Sequence, residues 1–209
     1  MPHRNRVDPF SRLIETPARG AWYGNRGCLH DRNGRITDRK PPVDQWIICV
    51  LEFKNRKRKL LQPGRFTELF FLDEATGLAA GHRPCGECRH ADLRRIGAYW
   101  PGRWARGHAL AREMDEVMKV ERIARDSAAR SRTLDPAQPP ADGLMFVLDR
   151  EPGRAILAAR GKLWGWTPFG YEGPMPWERR ERAVLLTPPS TAAAVENGYA
   201  PQIHSSAPA

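Results

Sequence analysis

Two thiols three residues apart, Cys85 and Cys88 in the run AAGHRPCGECR, constrain this chain more than any other feature. Both can point at one tetrahedral ion, because the backbone between them can turn tightly and Gly86 permits such a turn. Pro84 fixes the approach to the first thiol, and its ring restrains Arg83. The chain holds only four cysteines in 209 residues, and its opening run MPHRNRVDPFSRLIE lacks the apolar stretch of a secretory signal. That combination points to a cytoplasmic protein in a reducing compartment, where a Cys pair is metal-binding or redox-active rather than a structural disulfide. No apolar run reaches the roughly 18 residues of a membrane span.

A closed zinc site needs two further ligands. Cys28, His30, Cys49, His82 and His90 are the candidates. Cys28 and His30 are two apart, so an extended segment puts them on one side of the chain, within the Gly/Asn/Asp-rich loop GNRGCLHDRNG. Cys49 lies inside the apolar run WIICVLEF and reads as a small core residue. His82 and His90 flank the knuckle without a paired ligand spacing and read as surface residues or neighbours of the site.

Period and punctuation predict an α+β fold. WIICVLEF, residues 46–53, reads as a buried strand followed by a basic reversal, and residues 66–71 read as a second strand entered through Pro63-Gly64. Asp73 sits where a helix N-cap should be and Gly81 where that helix should stop. Further helices are expected over 90–99, about 106–130 and 190–197, and short strands over 144–148, 155–159 and 182–186. The segments expected are a flexible arm over 1–21, a zinc-binding β-sheet domain over 22–101, a connecting helix over 102–130, a linker over 131–142 and a β-rich region over 143–204.

Charge is uneven. Residues 1–72 carry 15 Lys/Arg against 7 Asp/Glu, while the remainder of a chain of net charge +10 is close to balance. Lys54, Arg56, Lys57, Arg58 and Lys59 place five cations in six residues. Such a tip can clamp phosphates without reading sequence, or it can be a solvated turn that blocks edge-to-edge strand pairing. Glu52 and Lys54, at the end of the apolar strand, share a strand face, and with Asp44 they resemble the Glu-x-Lys element of Mg2+-dependent nucleases. Trp164, Trp166, Phe169 and Tyr171 are either the core of a small sheet or a stacking platform for bases. No Ser-His-Asp arrangement, phosphate-binding glycine loop or dinucleotide fingerprint is evident.

The stretch Gly24-Asn25-Arg26 to His30, with Thr67 to Arg89 and its AAGHRPCGEC ending, resembles the Ada-type metal-binding domain over about residues 22–90. The resemblance implies a zinc ion held by Cys85 and Cys88, with His30 as third ligand and Cys28 as fourth. Relatives carry Cys-x3-Cys or His-x4-Cys at the earlier pair, whereas this chain has Cys28-x-His30. The expectation is a zinc-containing nucleic-acid-binding protein, DNA before RNA, whose metal is structural and whose basic hairpin contacts phosphates. Enzymatic alternatives are a metal-dependent nuclease and alkyl transfer to a zinc thiolate. A protein-interaction module is the remaining one.

Overall fold

Side chains alternate across a strand, so Ile48 is fully buried in the central core while its neighbours Ile47 and Cys49 face the other way. In the computed structural model, residues 2–37, 43–55, 59–124 and 128–207 are described. The fold is α+β, with two six-stranded sheets and four α-helices among those residues. The first sheet is built from β1 (Arg6–Val7), β2 (Leu13–Ile14), β3 (Trp22–Asn25), β4 (Ile47–Cys49), β5 (Leu69–Phe71) and β6 (Arg83–Pro84). Its order is β2-β1-β5-β3-β4-β6. Strand β3 runs antiparallel to both β4 and β5, and β4 pairs in parallel with β6. Gly24 allows this close packing, since a Cβ there would lie 2.2 Å from the Ile47 carbonyl oxygen.

The second sheet contains β7 (Ser131–Leu134), β8 (Met145–Leu148), β9 (Ile156–Ala159), β10 (Lys162–Thr167), β11 (Gly170–Met175) and β12 (Glu181–Leu185), in the order β11-β10-β9-β8-β12-β7. The helices are α1 (Glu74–Ala79), α2 (His90–Tyr99), α3 (Ala111–Ile123) and α4 (Pro189–Glu196). One core cluster joins Ile48, Leu69 and Phe71 of the first sheet to Ile96 and Met114 of the helices, to Leu144 just before β8, and to Phe146 and Leu163 of the second sheet. No helix among the described residues is long and apolar enough to cross a membrane.

Several elements differ from the sequence expectation. In place of a flexible arm, residues 6–14 add two strands, and Asn5, Val7 and Asp8 are buried. The segment expected as a linker opens with β7, which pairs with β12 through Thr133 and Arg182. The long helix is shorter than expected, because it begins after Leu110, whose N–H donates to the Glu113 carboxylate at 2.7 Å. The hairpin of β10 and β11 was hidden in the aromatic run, whose Trp164 and Tyr171 are core residues while Phe169 is exposed.

Helix α1 is buried along its whole length, although it opens with two acids. Asp73 caps it: Oδ1 accepts from the Thr76 N–H at 2.8 Å, and Oδ2 accepts from the Tyr171 hydroxyl and the His204 N–H. Burial pushes the Asp73 carboxyl up, against the pull of those donors. Glu74 accepts from Arg89 at 2.7 Å, from the Tyr199 hydroxyl at 2.5 Å and from the Gln202 N–H at 2.9 Å. The Arg89 guanidinium in turn lies 4.0 Å above the Trp22 ring. Removing one partner of a buried ion pair strands the other charge in a medium that solvates it poorly. Glu74→Gln is therefore expected to lower unfolding free energy by about 3 kcal/mol or more, read from urea denaturation; a loss under about 1 kcal/mol, the scale of an exposed pair, would refute this role.

Candidate metal centre

Strand register, rather than chain proximity, assembles the candidate site. Within β4, Cys49 faces Tyr23 of β3, and Ile48 stands opposite Pro84 of β6. The Cys85 N–H donates to the Ile48 carbonyl at 2.9 Å, so the first thiol of the knuckle emerges beside Cys49. The turn closes through the Arg89 N–H on the Cys85 carbonyl at 3.1 Å and the Glu87 N–H on the Cys85 sulfur at 3.4 Å. Gly86 is not at positive φ, so these hydrogen bonds, and not a left-handed glycine, shape the knuckle. Helix α2 starts at His90, directly after it.

The Sγ atoms of Cys49, Cys85 and Cys88 all lie within 4.8 Å of one another, and this is the one such group of potential ligands among the described residues. All four cysteines are free thiols. A proton shared among close sulfurs pulls Cys85 down, first through the hydrogen bond from Cys49 and despite burial. The same interaction and burial push Cys49 up, and burial pushes Cys88 up. Three soft donors this close suit zinc or another thiophilic ion.

The sulfurs line a cavity of about 290 Å³ together with Tyr23, Phe66, Phe70, Glu68 and Glu87. Tyr23 meets the Phe66 and Phe70 rings edge-on, with centroids 6.4 and 5.9 Å away. Glu68 is buried, and its carboxylate accepts from the Leu61 N–H at 2.8 Å. Phe53 and Leu60 also line the cavity, and they stand on either side of the basic segment Lys54–Lys59.

Cys28 and His30 do not join the sulfur group. The turn after β3 takes Gly27 to positive φ and sends the segment into a short bridge between His30 and Ile36. His30 is buried, with Nδ1 at 2.7 Å from the Thr67 hydroxyl and Nε2 at 3.1 Å from the Gln62 carbonyl, so both nitrogens are engaged. The Cys28 sulfur donates to the His30 carbonyl. Cys49 is buried as expected of a core residue, yet its sulfur belongs to the cluster. The signal for it was parity: Ile47 and Cys49 share the face opposite Ile48, but which distant strand would lie beside that face could not be read from the run itself.

The Glu-x-Lys element also changes place. Strand β4 ends at Cys49, and Lys54 takes a φ of 51°, so Lys54 lies in a turn and Glu52 in the irregular stretch before it, not on a strand face. Asp44 accepts from Lys119 at 2.9 Å. Of the basic segment, Lys54 and Lys59 are exposed, with Lys54 5.0 Å from the Phe53 ring centroid; Arg56, Lys57 and Arg58 lie outside the described residues.

His82, expected at the surface or beside the metal site, is fully buried, whereas His90 is exposed. Its ring packs 4.8 Å from Phe71 and 5.0 Å from Trp46, and neither nitrogen has a hydrogen-bond partner among the described residues. Trp46 carries the Arg26 and Arg122 guanidiniums at 4.6 and 4.4 Å. Burial, then the charges of Arg26 and Arg122, hold the imidazole well below its ordinary value. A depressed histidine contributes stability above pH about 6.5 that is lost as pH falls below it. His82→Leu removes that loss, so its stability relative to the parent protein should rise between pH about 7.5 and about 5.5; a difference that stays constant across this range would contradict the assignment. Comparisons of the chain with family models, with curated proteins and with solved structures returned no match.

Proposed function

We propose that this is a zinc-binding protein that contacts nucleic acid, with the metal held by Cys49, Cys85 and Cys88. The observation that carries the proposal is the approach of three sulfurs to within 4.8 Å of one another at the wall of a cavity. Zinc would draw the three thiols into the deprotonated state and tie β4 to the start of α2. A soft, redox-inert ion suits three thiols in a chain without disulfides.

The nucleic-acid part rests on charge. The excess of cations lies in residues 1–72, and its densest run, Lys54–Lys59, is bracketed by two cavity residues, Phe53 and Leu60. Phosphates held by that run would lie beside the metal site. The AAGHRPCGEC ending supports a zinc knuckle of the Ada type. The alkyl-transfer chemistry of that family is not carried over, because its acceptor thiolate comes from the earlier ligand pair, and here Cys28 and His30 stand outside the sulfur group.

Metal content separates the two ligand sets. Purified protein should contain one zinc per chain; Cys49→Ser, Cys85→Ser and Cys88→Ser should each lose most of it, while Cys28→Ser and His30→Ala retain it. Loss with Cys28→Ser and retention with Cys49→Ser would overturn the assignment. For the partner, fluorescence anisotropy with labelled duplex DNA should show affinity that falls steeply with salt. Neutralising Lys54, Arg56, Lys57, Arg58 and Lys59 together should weaken binding by about tenfold or more at low salt and flatten the salt dependence. Unchanged binding in that variant would remove the basic segment from the interface.

A further inference from the structure

Among the described residues the ligand group stops at three sulfurs; no histidine or carboxylate joins them within the same spacing. A tetrahedral ion held by three protein ligands keeps one position for an outside molecule, which distinguishes a working zinc site from a closed structural one. All three sulfurs line the cavity, so that position falls on the cavity side. We infer that the fourth position takes a flat, neutral azole, an imidazole or fused imidazole ring, whose nitrogen meets the metal while its face packs among Tyr23, Phe66 and Phe70. This inference rests on the zinc reading above and adds to it the identity of the ligand.

Charge selects the donor. Three thiolates around a divalent ion already leave a net negative charge, and the carboxyl groups of Glu68 and Glu87 line the same cavity. An anionic donor such as phosphate, acetate or a further thiolate would add charge beside three thiolates and the buried Glu68 carboxylate, where repulsion is weakly screened. A neutral ring nitrogen adds none, and nitrogen is a natural zinc ligand. Shape selects the body. The edge-to-face set of Tyr23 with Phe66 and Phe70 offers apolar ring surface, and a cavity of about 290 Å³ admits a bicyclic ring without enclosing a large molecule. The ring could belong to a free heterocycle or to a purine base of a nucleic-acid strand; the ligand chemistry is shared.

Cobalt substitution tests the inference with a spectroscopic readout. One cobalt per chain, with thiolate charge-transfer and tetrahedral visible bands, is expected from the full-length protein; failure to bind cobalt would remove the metal reading and the inference with it. Benzimidazole added to the cobalt protein should shift the visible bands to saturation at one equivalent, and acetate and phosphate should not. Phe66→Leu, which keeps the cobalt bands, should weaken benzimidazole by about fivefold or more, as expected for a lost stacking surface. A single-stranded adenine oligonucleotide that produces the same shift places the azole in a nucleic acid; a shift with benzimidazole alone places it in a small molecule, and either result supports the inference. Cobalt bands that form normally but ignore both azole probes, or that respond equally to acetate, overturn the inference and leave the metal site standing.

Discussion

Two carboxylates placed side by side in a fully buried helix set the terms for the whole molecule. Asp73 and Glu74 open α1 between the two sheets, and the donors that reach them come from four parts of the chain: Thr76 from the helix itself, Arg89 from the knuckle, Tyr171 from the second sheet, and Tyr199, Gln202 and His204 from the segment after α4. Unsatisfied, such a pair would cost more than the apolar burial of α1 could offset. Satisfied, it fixes how the sheets meet. Trp166 adds to the same junction by donating its indole N–H to Thr76 at 3.1 Å.

That junction also serves the candidate metal centre. Arg89 follows Cys88 directly, so the ion pair with Glu74 anchors the far end of the knuckle, while the parallel pairing of β4 with β6 anchors the near end. A third brace comes from α3. Arg83 makes a bidentate, buried pair with Asp115, and Arg122 donates to the Gly81 and Asp44 carbonyls. The short segment from Gly81 to Arg89 is therefore held from three sides, and the thiols it carries are positioned by charge pairs and not by their own turn alone.

Local signals were legible in the sequence and long-range register was not. Asp73 as N-cap, Gly81 as helix stop at a φ of 84°, and α2 over His90–Tyr99 follow from capping chemistry that acts within a few residues. The knuckle was equally visible, because Cys-x-x-Cys is a local pattern. Its partner Cys49 was not, since the pairing that delivers it joins strands more than thirty residues apart. Cys28 and His30 looked suitable by spacing and by resemblance, yet the Gly27 turn and the Thr67 hydroxyl claim that loop for hydrogen bonding. The strands β1 and β2 escaped notice for a related reason. Two-residue strands carry too little periodicity to register, and it is Phe70 of β5 that recruits β1.

The donors from Tyr199, Gln202 and His204 have a consequence for biosynthesis. A nascent chain that has emerged only through the knuckle possesses both acids of α1 and one arginine, but none of the groups that complete their solvation at the C-terminal side. Until residues 199–204 have emerged, α1 has reason to stay wet, and the first sheet cannot seal its inner face against it. Emergence of that segment, rather than completion of the first half, thus becomes the moment at which the two sheets commit to each other.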